Sequence, residues 1–363
     1  MKKPALLRTA LALALLLPLI QVAACAGPGY YAQAISGHLG LMRGRQEISK
    51  ILAAGDSAPE LTHKLELAIE IREFATAQLG LPDNGSYTHF VRTGRAAVTW
   101  NVVATPELSL EPRRWCFLVA GCVPYRGYFE QEAATRFAGR LATDGLDVAV
   151  SPAVAYSTLG WFEDPLLDTM LRYRDERLAA VMFHELAHQQ LYLRGDTVFN
   201  ESYASFVEEI GVTLWLRLSG RESQLSGWRD QQQAATQFDA LLLRARVSLS
   251  ELYAGNAEDD GKRQSKAAIF DQLQVDYRDL VRESWQGRDF FGGWFASELN
   301  NARLALFNSY RGGICAFSAL YRDSAKDMKR FHARAAAQAG LAADARRAWL
   351  EQPCPPVASQ VDL

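Results

Sequence analysis

Leu178-Ala-Ala-Val-Met-Phe183-His184-Glu185-Leu-Ala-His188 is the stretch whose residue types can do chemistry. Its apolar, alanine-rich flanks predict a buried helix, where two histidines and a glutamate are costly passengers. On a helix His184 and His188 stand one above the other on a single face. Two imidazoles at that separation can bind one Zn2+ at ~2.0–2.1 Å. Glu185 is turned about 100° from His184 and so flanks the metal, where it can take a proton from bound water as that water attacks a carbonyl. This is an H-E-x-x-H motif in a chain with only six histidines. A chance match is on the order of one in two hundred, so metal chemistry outweighs the alternative of solvated or mutually bonded histidines.

A catalytic zinc site needs a third protein ligand and an open fourth position. The helix should run through Gln189–Tyr192 and stop near Arg194-Gly195, with glycine as terminator and Asp196 or Thr197 opening the next helix. A tight helical hairpin would then return Glu201 to the height of His188. On its own, Glu201 reads as a first-turn glutamate favoured by the helix dipole; beside H-E-x-x-H the ligand reading outweighs that.

Asn200-Glu201-Ser-Tyr-Ala204 resembles the N-E-x-x-A element that carries the glutamate ligand of the gluzincin peptidases, thermolysin and the zinc aminopeptidases among them. The resemblance implies His184, His188 and Glu201 as metal ligands and Glu185 as catalytic base. Twelve residues separate His188 from Glu201, fewer than in those families. Their spacing lands on Val207, which cannot ligate, with Glu208 one residue beyond. Glu201 is therefore kept as the ligand, and Glu208 is a candidate to support the metal from behind.

More of the chain, about residues 90–330, resembles the zinc aminopeptidases of bacterial lipoprotein type. The pieces that carry this are Gly121–Tyr128, Ala155–Phe162, His184–Gln189, Gly195-Asp196, Phe199–Glu209 and Leu299–Leu304. The resemblance implies a zincin-like core, one Zn2+ per chain and a peptide substrate cut at its N-terminal bond. Tyr203, Tyr156 and Tyr310 are candidate oxyanion donors, and Arg126 a candidate partner for a substrate carboxylate. Glu163, Asp164 and Glu208 are the acids available to hold an α-ammonium group, and the sequence does not choose among them. Two rival readings stay open: an endopeptidase of the cell envelope, and a non-catalytic binding lipoprotein that retains its metal helix.

The elements that must position these residues read as an α+β arrangement, mostly helical, with a small sheet N-terminal to the metal-binding helix. Residues 31–54 and 59–79 have helical spacing, with Ser57 as a cap between them. Ala97–Ala104, Trp115–Ala120 and Leu146–Ser151 read as strands, with a helix near 129–143. Asp164-Pro165 reads as a helix cap followed by a first-turn proline. Residues 226–285 read as a long helical hairpin broken around Gly255–Gly261.

Lys2, Lys3 and Arg8, then an apolar run from Ala10 to Ile20, then Val22-Ala23-Ala24-Cys25 form a signal peptide over residues 1–24. The last four residues resemble a bacterial lipobox, implying lipid on Cys25, a short linker over 25–30 and the peptidase domain over 31–363. Ala26 after the cysteine points to the outer membrane, facing the periplasm. Removing residues 1–24 takes three positive charges and no acid from a net −2, leaving about −5. That balance argues against a nucleic-acid partner. Of the other cysteines, Cys116 and Cys122 are expected about 20 Å apart along one strand, beyond any bridge. Cys315 and Cys354 are free to pair or to stay reduced. Nothing in the chain fixes an oligomeric state.

Overall fold

The structure is a computed structural model describing residues 27–117, 121–158, 160–305 and 313–352. Cys25, Tyr310 and Cys354 lie outside the described residues.

The chain enters through helix α1 (Pro28–Arg43), which stops at Gly44 and is not continuous to residue 54. A two-residue strand β1 (Gln46–Glu47) and a separate helix α2 (Ile48–Ala54) follow. Helix α3 (Pro59–Ala77) begins behind Ala58, which takes the N-cap position expected for Ser57. Its proline enters at the first turn, where a missing N–H costs nothing.

Strands β2 (His89–Val91), β3 (Thr99–Pro106), β4 (Trp115–Phe117), β5 (Gly121–Val123) and β6 (Arg126–Tyr128) lead to helix α4 (Gln131–Thr143) and strand β7 (Leu146–Ala153). The strands form three small sheets. One is antiparallel, in the order β6-β3-β7, with Trp100 opposite both Tyr128 and Pro152. Val102, Val103 and Ala104 of β3 are all buried because both faces of this sheet are covered. Ala134 and Leu141 of α4 pack on one side, and Ala302 and Ala305 on the other.

Two expectations fail here. The strand beginning at Trp115 ends at Phe117 and turns back as β5, so Cys116 faces Cys122 and the two are bonded, with their Cα atoms 3.8 Å apart. An extended-chain distance does not hold once the chain reverses. Asp164-Pro165 opens no helix: strand β8 (Leu166–Leu167) follows, pairing in parallel with β2, which also pairs with β1. The Asp164 carboxylate instead accepts hydrogen bonds from Thr158 N and Oγ1 at 3.1 and 2.7 Å.

Beyond β8 the chain is helical: α5 (Asp175–Gln190), α6 (Thr197–Leu218), α7 (Glu222–Ala254) and α8 (Asp259–Asp279). The last two form the expected hairpin, closed by Phe238, Leu242, Leu273 and Tyr277. Short helices α9 (Gly292–Phe295) and α10 (Asn301–Ala305) precede α11 (Ile314–Asp323), α12 (Met328–Ala339) and α13 (Ala343–Leu350). The main core joins α3, α5, α6, α11 and α12 through fully buried side chains such as Ile71, Phe183, Phe206, Trp215, Phe317 and Phe331. Cys315 of α11 is itself in a disulfide. Among the described residues no helix is long and apolar enough to cross a membrane.

Candidate metal centre

Helices α5 and α6 form an antiparallel hairpin in which Asp196 opens α6 as expected, whereas α5 ends at Gln190, with Leu191 extended, before reaching the glycine expected to terminate it. Gly195 turns the chain at φ +84°, a left-handed conformation glycine adopts without strain. Asp196 caps α6 by accepting a hydrogen bond from Phe199 N at 3.1 Å, and Arg346 grips its other oxygen at 2.7 Å. Asn200 locks the connection from inside, accepting from Leu193 N at 2.7 Å and donating to Leu193 O at 2.8 Å. The residue beside Glu201 therefore sets the loop that places Glu201.

The two helices approach closely where Gly211 of α6 meets Phe183 of α5. A Cβ at Gly211 would lie 2.8 Å from both Phe183 Cδ2 and Leu79 Cδ1. This contact seats α6 against the residue that precedes His184.

Ligand atoms of His184, His188 and Glu201 converge within 4.8 Å of one another. The two Nε2 atoms are 3.2 Å apart. Glu201 Oε2 is 3.3 Å from His184 Nε2, and Oε1 is 3.7 Å from His188 Nε2. Two ligands at ~2.1 Å from a tetrahedral zinc would be separated by about 3.4 Å, so all three edges suit one ion. Glu201 Oε2 is buried and makes no well-directed hydrogen bond. The set can hold a metal ion, and its nitrogen and carboxylate donors are compatible with zinc.

Glu208, two turns further along α6, lies behind this cluster. His184 Nδ1 donates to Glu208 Oε2 at 3.1 Å, and Arg177 donates to Oε1 at 3.0 Å. Burial opposes charge on His184, but Glu201 and Glu208 outweigh it and carry its pKa up to about 10. Burial takes His188 down to about 4. Burial also raises the Glu201 carboxyl, yet His188 and His184 pull it below its ordinary value overall. An electron-rich imidazole with Nδ1 engaged by a carboxylate leaves Nε2 to face a cation.

These residues line a cavity of about 1060 Å3, which also takes in Glu185. Burial pushes the Glu185 carboxyl up to about 7, against the pull of His184 and a hydrogen bond from Ser157. The Ser157 hydroxyl is shared with Asp164, 3.3 Å away. A carboxylate poised near neutrality can both take and return a proton.

Other candidates separate in space. Tyr156 lines the cavity. Tyr203 does not: it is fully buried and bonds His332 at 2.7 Å. Arg126 turns away from the cavity, its guanidinium over the rings of Tyr30 and Phe137 at 4.2 and 4.6 Å. Of the three anchoring acids, only Glu208 lines the cavity. Asp164 is buried, bonded to Thr158 and Gln189, and Glu163 is exposed outside it.

Sequence reasoning missed Tyr125, a partly buried cavity residue raised above its ordinary pKa by desolvation and by the charges of Glu201 and Glu185. It sits beside Arg126 in the Pro-Tyr-Arg-Gly stretch, where the charged neighbour drew the assignment. The contribution of helix α1 to the site was missed as well: its Tyr31, Ile35 and His38 form one wall.

The family described as "Putative aminopeptidase" matches residues 29–350, and the chain belongs to it. That match takes in every residue of the metal cluster and the cavity wall contributed by α1. No curated protein and no solved structure matches the chain.

Proposed function

We propose that the protein is a zinc-dependent peptidase. The observation that carries this is the convergence of His184, His188 and Glu201 on the wall of a deep cavity that also receives Glu185. Zinc held there would supply a Lewis acid that polarises a peptide carbonyl and acidifies water. Glu185 takes a proton from the water whose oxygen attacks the carbonyl carbon. As the C–N bond breaks, Glu185 returns that proton to the departing amine nitrogen. Glu208 and Arg177 keep His184 oriented throughout, and the Tyr125 and Tyr156 hydroxyls are the donors available to a developing oxyanion.

Family membership favours an aminopeptidase. One observation favours an endopeptidase instead. Among the described residues every carboxylate lining the cavity is already engaged, Glu201 at the cluster, Glu185 beside it, and Glu208 between His184 and Arg177. Burying an α-ammonium group needs a carboxylate partner. Glu208 is the one acid here that could turn to it, at the expense of its bonds to His184 and Arg177.

The proposal extends to location. The lipobox-like end at Cys25 indicates an exported lipoprotein of the outer membrane, and the Cys116–Cys122 disulfide suits an oxidising compartment.

The test is metal analysis of the purified protein with digestion of matched free and N-acetylated peptides, read by mass spectrometry. One zinc per chain and removal of single N-terminal residues from free peptides alone would support the aminopeptidase. Equal cutting of both peptides would support the endopeptidase, and a metal-loaded protein that cuts neither would overturn the peptidase reading.

A further inference from the structure

The mouth of the cavity carries apolar side chains where a soluble surface ordinarily places polar ones. Ile35 and Leu39 project from successive turns of α1 and are 58% and 43% exposed. Trp161 and Phe162 come from the loop after β7 and are 70% and 56% exposed. All four line the same cavity as His184 and Glu185. Trp161 is the most exposed large apolar side chain among the described residues. Apolar groups gathered at a concave opening are a binding feature, whereas scattered ones need no explanation.

The rim is built to hold its shape. Phe162 N donates to Thr158 Oγ1 at 3.0 Å, and that hydroxyl donates in turn to the buried Asp164 at 2.7 Å. The loop is thereby tied to a carboxylate that also accepts from Gln189, the residue after His188. Rings then continue inward: Phe162 is 4.6 Å from His38, His38 is 6.0 Å from Tyr156, and Tyr156 is 5.2 Å from Phe129. The charged groups of the cavity, Glu185, Glu201, Glu208 and Arg177, all belong to α5 and α6 at the metal cluster. Away from that cluster the described wall carries no carboxylate, lysine or guanidinium, and its polar groups, Thr99, Asn101 and Tyr125 among them, are uncharged.

We propose that Ile35, Leu39, Trp161 and Phe162 are the specificity subsite of this centre, receiving a bulky apolar side chain of the peptide substrate. The inference rests on the peptidase reading and adds the class of peptide that the enzyme selects. A side chain suits the opening better than a bilayer does, because the four residues face a concavity shared with the metal cluster. Burying one leucine- or phenylalanine-sized side chain there corresponds to about tenfold or more in kcat/KM.

The test uses the mature zinc-loaded protein and a Trp161→Ala/Phe162→Ala double variant, both changes at exposed positions. The substrates are short peptides identical except for Phe or Ala at successive positions. The wild type should favour Phe at one position by about tenfold or more. The double variant should lose most of that preference while keeping its zinc. An undiminished preference in the double variant overturns the subsite. If the wild type cuts no peptide, the peptidase reading fails by itself. Calorimetric binding of the same peptides to zinc-loaded Glu185→Gln protein then judges the rim separately, and equal binding of Phe and Ala peptides overturns it. Quenching of Trp161 by brominated phospholipid vesicles, with no effect of peptide, would assign the rim to a membrane and overturn it too.

Discussion

His184 and Glu208 are joined through the imidazole nitrogen that points away from His188 and Glu201, Nδ1 to Oε2 at 3.1 Å. The two residues lie 24 positions apart, and the α5–α6 hairpin brings them together. Glu208→Gln should keep the fold and weaken zinc binding about 10- to 100-fold, because the carboxylate that orients the ring is lost. Competition against a zinc chelator measures this. Glu201→Ala, which removes a proposed ligand of the ion, should lose more zinc than Glu208→Gln. The reverse order would assign the ligand role to Glu208.

Glu185→Gln separates proton transfer from metal binding. The amide keeps the shape of the side chain without its basic oxygen. Zinc content should be unchanged while hydrolysis falls by roughly 10²- to 10⁴-fold. Single-turnover rates alongside metal analysis check both halves, and full activity in the variant would remove Glu185 from the reaction.

Gly211 tests how closely α5 and α6 must pack. Alanine there brings a Cβ to 2.8 Å from Phe183 and Leu79, an overpacking that should cost about 1–3 kcal/mol of stability. A lower Tm with weaker zinc binding is expected from Gly211→Ala. Alanine at Gly227, which has open space around it, should leave zinc binding unchanged.

His332 makes stability sensitive to acid. It is buried, with Nε2 donating to Leu79 O and Nδ1 accepting from Tyr203 Oη, both at 2.7 Å, so both bonds suit the neutral ring. Burial lowers its pKa below the ordinary 6.5, despite the bond to Leu79. The unfolded chain therefore takes up this proton first as pH falls. The stability contribution is complete above pH 6.5 and is lost as pH drops from there through the lower folded pKa. Urea midpoints between pH 8 and 5 should fall less steeply for His332→Gln than for the wild type. Equal slopes would exclude His332 as the source.

Cys25→Ser addresses the anchor. The wild-type chain should begin at Cys25 and partition with membranes, and the variant should be released or left unprocessed. Mature, membrane-bound Cys25→Ser protein would defeat lipidation at this residue.

Much of the site was legible because its signals are local. His184, Glu185 and His188 sit within one helical turn and a half, and helical periodicity alone puts the two histidines on one face. Glu201 was reachable because Asp196 marks the start of the second helix, which limits where its first turn can stand; Gly195 serves the turn and not the helix end, since α5 stops at Gln190. The α7–α8 hairpin was legible from helical periodicity interrupted near Gly255, although Gly261 lies inside α8.

What the tertiary structure decided depends on partners distant in sequence. Cys116 and Cys122 bond because a strand reverses after Phe117, and the pairing of two short strands sets that reversal. Asp164 looked like a helix cap until the structure placed Thr158 and Gln189 around it. Tyr203 and Tyr156 carry the same hydroxyl, yet one is sealed in the core against His332 and the other faces the cavity. Helix α1 has no chemical signature of its own, and only its packing beside the β7 loop makes Ile35 and Leu39 part of the cavity mouth. Local sequence determines which residues can ligate, cap or turn. Which of them share a cavity is determined by long-range packing, because contacts between segments more than a hundred residues apart leave no periodicity in either segment.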